Sequence, residues 1–417
     1  MAILALRFPT LGYLNVLPYF ALMVLFLIEA SLVQKLWPFY RRHSVRTTAG
    51  GRHFAELDGL RGVLALSVFF THSETHLQRF QTGAWSLVDS NFYSQLAVAP
   101  VAMFFLITGF LFWSKALKGT LGTWNGYLKK RALRLFPAYL LAVVLIFTVV
   151  AVQTHFEPHQ SLLSFLGSVL SFLTFQLVPG PPPNGFSETP LVYAAVFWSL
   201  RVEWMFYLSL LFLAYFARSI RKQVLLILIV VAAQFTLPII QPRIHVKGFS
   251  SLGIGTLEYF TFYLYSYFSI GMIAAYLRSK WQASRLAKSS YAAIAALLVI
   301  ACLVAFLPPK AGLLEGVILG LPFLAIVYGN SFWGFLRLRP VVLLGEISYS
   351  IYILHGIVLY VSYSLLARWV RVNEFTSLYF WGFTALTGSA VIALAAFSYR
   401  FFEAPFIGGG SHEKQFR

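Results

Sequence analysis

Apolar runs of about 20 residues recur along the whole chain, separated by short segments rich in charged residues, proline and glycine. A helix of about 20 apolar residues is long enough to cross roughly 30 Å of hydrocarbon. The pattern therefore predicts an all-α fold: a polytopic transmembrane helical bundle with ten core spans and one extra N-terminal span. The predicted spans are residues 11–36 for the N-terminal helix and 57–76, 96–114, 136–153, 197–217, 223–240, 259–277, 290–307, 313–328, 341–361 and 377–402 for the core.

One further apolar run, residues 161–178, is treated differently. It is long enough to span, but counting it would move the basic segment 218–222 to the other side and invert every later loop. We therefore predict that it is interfacial or re-entrant. Hydroxyl residues at helical spacing would give this helix a polar stripe: Ser161, Ser164, Ser168, Ser171 and Thr174.

Composition supports the membrane class. Only 11% of the 417 residues are charged and 59% are hydrophobic, whereas soluble domains carry about 25% charged residues. The net charge of +18 does not indicate nucleic-acid binding, because the basic residues lie in the loops between spans rather than on one soluble face. With a single cysteine, Cys302, the chain has no intramolecular disulfide framework and no thiolate metal cluster.

The basic residues also predict the orientation. The predicted spans place 24 of the 32 lysines and arginines on one side, which is typical of the cytoplasmic side, so the chain starts outside and ends in the cytoplasm. We predict three parts: an additional helix with a basic cytoplasmic linker over residues 1–52, a membrane domain over 53–407 and a short cytoplasmic tail over 408–417. The first helix lacks a small-residue cleavage site and is expected to be retained.

Ionisable residues inside predicted spans are the candidates for chemistry, since such groups are costly in hydrocarbon unless they are used. With a rise of about 1.5 Å per residue, His72 lies ~18 Å from the cytoplasmic edge of its span, and Glu203 lies ~9 Å from the outer edge of its own. His355 lies ~21 Å beyond Val341 along its span. All three depths fall in the outer half of the membrane, where the side chains could meet.

These three residues suggest general-base chemistry. We predict that His72 takes a proton from an acceptor hydroxyl, and that Glu203 or His355 orients its ring or binds the acceptor. The structural alternatives are a neutral His72 that is hydrogen-bonded inside the bundle, a His355 that only joins two helices, and a Glu203 paired with Arg201 or another basic group.

Six motifs in order resemble the acyltransferase-3 family of integral membrane acyltransferases over roughly residues 54–407. They are Leu57–Gly62 with His72; Phe104–Phe110; Arg131–Pro137; Trp198–Glu203 with Phe206 and Tyr207; Gly345–Tyr352 with His355; and Glu403–Pro405. The resemblance implies O-acylation, typically O-acetylation, of a glycan, glycoside or lipid-linked sugar in a bacterial inner membrane, without a metal. Two departures are Thr108, where a serine is usual, and Arg201, where a small or polar residue is usual.

The resemblance implies acetyl-CoA or another acyl-CoA as the donor. Arg131 and Arg134 carry the family's paired-arginine motif and share one helix face at spacing i, i+3. Guanidinium groups bind phosphates bidentately, so we expect these two residues and Arg61 to hold the donor at the cytoplasmic mouth. The alternative is an anchor for anionic membrane lipids, which we prefer for Lys129 and Lys130.

Supporting roles are assigned to four further residues. Asp58 is expected to pair with Arg61 or Arg134, and Glu403, with Ala404 and Pro405 after it, is expected to cap and stop the final helix and to pair with a mouth arginine. Tyr207 and Tyr349 could carry an acyl group or donate a hydrogen bond, but a buried structural role is the preferred interpretation. Glycines at 59, 62 and 109 are interpreted as sites of close helix packing.

The rival function is a transporter or flippase of a lipid-linked or small amphipathic substrate, with His72 and Glu203 as a proton relay. The sequence has no inverted repeat of the kind that transporters often carry, which favours the enzyme.

Overall fold

The structure is a computed structural model that describes residues 16–41, 54–240, 254–282, 285–310, 312–370 and 375–407. The start of the predicted N-terminal span, most of the basic linker and the tail over 408–417 lie outside the described residues. Every regular element within the described ranges is helical, so the predicted all-α class is confirmed for that part of the chain.

The longer helices are numbered α1 to α13 in chain order. They are α1 (Leu17–Leu36), α2 (Ala55–Thr82), α3 (Asn91–Leu117), α4 (Trp124–Gln153), α5 (Leu162–Leu173), α6 (Phe197–Leu213), α7 (Ile220–Ile240), α8 (Ile254–Lys280), α9 (Ser290–Phe306), α10 (Leu313–Val327), α11 (Arg339–Glu346), α12 (Ser348–Leu366) and α13 (Ser377–Ser398). The last of them, α13, is followed by a π-helical turn, Tyr399–Glu403, and a short helix, Ala404–Ile407.

Within the described residues, five stretches are both long and apolar enough to cross a membrane: α1, α3, α4, α12 and the stretch Ser377–Ile407. The protein is therefore an integral, multi-pass membrane protein. The total of ten core spans plus one stays a prediction.

The run at 161–178 forms α5, whose 12 residues extend only ~18 Å and are too few to span a bilayer. Ser168 and Ser171 are buried on the face of α5 that packs on the protein, while Leu162, Leu163 and Leu166 are exposed. The predicted polar stripe therefore faces inward, and the Ser168 hydroxyl donates to a backbone carbonyl of its own helix at 3.2 Å.

The helices form two compact units. The first takes its described residues from Met1–Ala97, Lys129–Phe197 and Gly334–Arg417, and the second from Val98–Leu128 and Trp198–Trp333. The second unit is thus built from two separate segments of the chain, each flanked by segments of the first unit.

The first unit is organised around α2, which packs along α11 and α12. Close approach of the backbones explains the glycines here: a Cβ atom on Gly62 would overlap the backbone of Gly345, and one on Gly345 would overlap the carbonyl of Asp58. The close-packing interpretation of Gly59 is confirmed in the same way, since a Cβ atom there would overlap the carbonyl of Leu336.

In the second unit, the backbones of α3 and α8 also approach closely at glycines. A Cβ atom on Gly109 would overlap the carbonyl of Phe268, and one on Gly271 would overlap the carbonyl of Leu106. Phe268 also stacks on Phe206 of α6, with ring centroids 4.2 Å apart. The predicted packing role of Gly109 is therefore confirmed.

Two predicted helix limits are wrong. The span predicted over residues 341–361 is interrupted at Ile347, which ends α11 and precedes α12, so the depth of His355 cannot be counted from Val341 along one helix. The final helix does not stop at Glu403 but continues to Ile407. Pro405 is tolerated because the π-helical turn ends just before it, which places the proline in a new first turn where no backbone donor is needed.

Candidate functional site

Two histidines of the first unit form the centre of the site. His72 of α2 and His355 of α12 are joined by a hydrogen bond of 2.9 Å between Nδ1 of His72 and Nε2 of His355. Their rings lie 5.0 Å apart between centroids at an interplanar angle of 25°. His355 is completely buried, whereas His72 is partly exposed. The structure therefore brings together two of the three residues predicted from depth.

The hydrogen bonds assign the protons of the neutral pair. Nδ1 of His355 lies 3.1 Å from the carbonyl oxygen of Ile351, and because a carbonyl only accepts, this nitrogen carries the hydrogen. Nε2 of His355 then has a lone pair and accepts from Nδ1–H of His72. The lone pair of His72 is consequently on Nε2, the nitrogen that His355 does not contact.

Three aromatic side chains that the motifs did not single out lie around this pair. Trp85 lies parallel to the His72 ring, at 12° and 6.3 Å between centroids, and stands edge-on to His76 at 5.0 Å. Tyr363 stacks on the other side of His76 at 5.9 Å. His76 follows His72 by four residues, a spacing that puts both on one helix face and could have identified it from the sequence.

A second polar cluster lies where α12 meets the end of the described chain. The hydroxyl of Ser350 donates to Oε1 of Glu403 at 2.5 Å and contacts the hydroxyl of Ser398 at 2.8 Å. The guanidinium groups of Arg61 and Arg134 are close enough to act electrostatically on the Glu403 carboxylate. The structure thus groups Arg61, Arg134 and Glu403, as predicted for the cytoplasmic mouth.

The other predicted mouth residues have structural contacts. The hydroxyl of Tyr349 donates to the carbonyl of Leu135 at 3.1 Å, which ties α12 to α4 beside Arg134. This is the structural role preferred for Tyr349. Arg131 lies partly exposed one turn before Arg134, and Asp58 lies at the backbone contact with Gly345.

A nearby ion pair was not anticipated. Nε of Arg337 donates to Oε1 of the buried Glu56 at 2.8 Å. The pair joins the first turn of α2 to the segment that leads into α11, and it holds the start of α2 in place.

Glu203 belongs to the second unit. Its Oε1 accepts hydrogen bonds from the hydroxyl of Thr108 at 3.1 Å and from the hydroxyl of Tyr207, one turn along α6. Thr108 therefore supplies a hydroxyl at the position where a serine is usual. The prediction that Glu203 orients His72 stays a prediction; within the first unit, the side chain hydrogen-bonded to His72 is His355.

These features define an integral membrane protein whose regular elements are helical throughout its described ranges, with a hydrogen-bonded histidine pair and two arginines near Glu403. In comparison with known families, residues 54–399 match an acyltransferase domain of the acyltransferase-3 type. The match covers most of the chain, which therefore belongs to the acyltransferase-3 family and is an acyltransferase. It includes every predicted site residue except Glu403. No curated protein and no solved structure matches the chain significantly.

Proposed function

We propose that the protein is a membrane O-acyltransferase that moves an acyl group, most simply acetyl, from cytoplasmic acyl-CoA to a hydroxyl of a sugar, glycoside or lipid-linked glycan of the cell envelope. The observation that carries the proposal is the chain of hydrogen bonds from His72 through His355 to the carbonyl of Ile351. It holds His72 in the tautomer that a general base needs.

In this reaction Nε2 of His72 takes the proton of the acceptor hydroxyl as its oxygen attacks the thioester carbonyl carbon. The new C–O bond forms, the C–S bond breaks, and the CoA thiolate leaves with a proton returned from the His72 imidazolium. His355 keeps accepting from Nδ1–H of His72 throughout, so the ring does not turn when it is protonated.

Binding of the acyl-CoA donor is supported by Arg61 and Arg134, which lie near Glu403. Arg131 lies on the same face of α4 as Arg134. Acyl-CoA carries a pyrophosphate and a ribose phosphate, which suit guanidinium groups. From the distribution of basic residues we infer that this cluster lies on the cytoplasmic side, with the N-terminus outside and the C-terminus in the cytoplasm. The membrane that the family resemblance implies is a bacterial inner membrane.

The test is acetyl transfer by the purified protein in lipid nanodiscs, with labelled acetyl-CoA and envelope glycan from a strain lacking the gene. We expect His72→Ala to lower the rate at least about 10²-fold, because the base is lost. The matched control is His159→Ala, since His159 is an exposed loop histidine bonded to the carbonyl of Glu157 at 2.8 Å. A fully active, membrane-inserted His72→Ala protein overturns the proposal, and substrate uptake without acyl chemistry supports a transporter instead.

A further inference from the structure

The side chain of Trp85 is half-buried and lies parallel to the ring of the proposed base. Its indole lies at only 12° to the His72 ring and is held edge-on by the buried His76. Nothing in the proposed acyl transfer requires this indole. An aromatic face next to a base is, however, suited to holding the molecule whose hydroxyl the base deprotonates.

The turn that carries Trp85 is fixed by several hydrogen bonds. Gly83 ends α2 in the left-handed conformation (φ 78°), and its carbonyl accepts from Nη1 of Arg79 at 2.8 Å. Nε2 of Gln78 donates to the hydroxyl of Ser86 at 2.9 Å. Trp85 therefore lies between two anchored residues, and its ring is positioned before any ligand arrives.

Polar groups lie at the edge of the same turn. Nη2 of Arg79 pairs with Oε1 of Glu188 at 2.5 Å, and the two side chains remain 30% and 45% exposed. This combination of an aromatic face with an accessible guanidinium and carboxylate matches a sugar ring, whose C–H groups are weakly positive and whose hydroxyls both donate and accept hydrogen bonds.

We propose that Trp85 is the wall of an acceptor subsite that stacks on a pyranose ring, with Arg79 and Glu188 binding the ring hydroxyls. This inference deepens the proposed function and rests on it for the identity of the base. It assigns the acceptor as a pyranoside rather than a simple lipid alcohol. Arg79 falls on the predicted extracytoplasmic side, which is where an envelope glycan is found.

The binding test uses methyl β-D-glucopyranoside as the probe and does not depend on turnover. Diethyl pyrocarbonate modifies unprotonated imidazole nitrogens, so the rate at His72, located by mass spectrometry, reports whether the sugar covers Nε2. Modification of His159 in the same sample is the internal reference.

We expect the sugar to protect His72 in the wild-type protein and in Trp369→Ala, whose tryptophan is 87% exposed beyond the end of α12. Trp85→Ala should need about tenfold more sugar for half protection, because the stacking contact is lost. Trp85→Phe, which keeps an aromatic face, should stay within about threefold of wild type. Absence of protection in the wild type, or equal protection in Trp85→Ala, overturns the subsite.

A second measurement separates sugar binding from mere support of His72. Acetyl transfer is compared for octyl β-D-glucopyranoside and 1-octanol, which share a chain but differ in the ring. Trp85→Ala should raise KM for the glucoside and leave transfer to octanol unchanged; equal losses for both overturn the stacking role. If the sugar protects His72 but the wild type transfers acetyl to neither compound nor to envelope glycan, the proposed function fails and the pyranoside site stands.

Discussion

His72 and His355 are the same residue type, and their surroundings give them different roles. Both ring nitrogens of His355 are engaged, one by His72 and one by the carbonyl of Ile351, and the ring is completely buried. In this series of hydrogen bonds His72 takes part only through Nδ1, and its side chain is partly exposed. In the proposed reaction His355 is therefore the positioning residue, and His72 is the group that meets the acceptor.

This division predicts different effects for two substitutions of His355. Glutamine has a carbonyl oxygen that can accept from Nδ1–H of His72, whereas leucine cannot. We expect His355→Leu to lower kcat by about 10²- to 10⁴-fold through loss of the correct tautomer, and His355→Gln to retain more activity, with KM for acetyl-CoA unchanged in both. Steady-state kinetics measures the difference. Equal, undiminished kcat values in the two variants would show that His355 only joins two helices.

At this scale the sequence predicted His72 and His355 from their positions in apolar spans, and Glu403 from the motif that follows the final span, but not the atoms that meet. The direction of the His72–His355 hydrogen bond depends on the Ile351 carbonyl, which any residue type provides. His76 and Trp85 were missed for different reasons. His76 shares the face of His72 and could have been found by spacing, whereas Trp85 is brought back to the helix by a turn that the apolar pattern does not specify.

The helices of the first unit meet through backbone contact at small residues. The closest approach is between α2 and α11, where Gly345 leaves no room for a Cβ atom beside the carbonyl of Asp58. Because α2 carries both Arg61 and His72, any separation of these helices displaces both ends of the proposed site. Packing of α2 on α11 is thus coupled to the chemistry.

We expect Gly345→Ala to destabilise the protein by roughly 1–3 kcal/mol, because the methyl group must push two backbones apart. The matched control is Gly382→Ala in α13, where a Cβ atom meets nothing within 4 Å. Thermal unfolding in detergent and acetyl transfer measure the two effects. A Gly345→Ala protein as stable and active as Gly382→Ala would mean that the α2 and α11 contact is not needed.

Element boundaries were predictable where the apolar pattern changes and not where it continues. Residues 341–361 stay apolar through Ile347, so the break between α11 and α12 leaves no mark in the pattern. The continuation past Pro405 depends on a π-helical turn, whose hydrogen bond from the Ala404 amide to the Tyr399 carbonyl has no sequence signature. Both differences come from backbone geometry rather than from side-chain polarity.

Across the whole molecule, the first unit separates two kinds of chemistry along α2. Arg61 lies with Arg134 and Glu403, while His72 lies eleven residues further on, or ~16 Å along the helix. With the orientation predicted from the basic residues, the proposed donor binds near Arg61 and the proposed acceptor near His72. Division of the chain into two units was not predicted, because no change of composition marks residues 98–128 or 198–333.

For the whole molecule, the prediction concerns the side of the membrane from which the donor binds. In inside-out membrane vesicles, where added acetyl-CoA reaches the cytoplasmic face, Arg134→Glu should raise KM for acetyl-CoA at least about tenfold, since a charge-assisted phosphate contact becomes a repulsion. Lys130→Glu, an exposed change nearby that we assign to lipid contact, should leave KM for the donor unchanged. Unaltered donor dependence in Arg134→Glu contradicts the phosphate role of this residue.

The polar character of α2 bears on how the protein is made. α2 has 28 residues but is not among the five stretches apolar enough to cross a membrane unaided, and its partners lie far along the chain: Glu56 meets Arg337, 281 residues later. At roughly 5–20 residues per second, synthesis of that interval takes about 15–55 s. The contact between α2 and Arg337 therefore forms only after the intervening helices have been synthesised, so the packing of α2 is completed late.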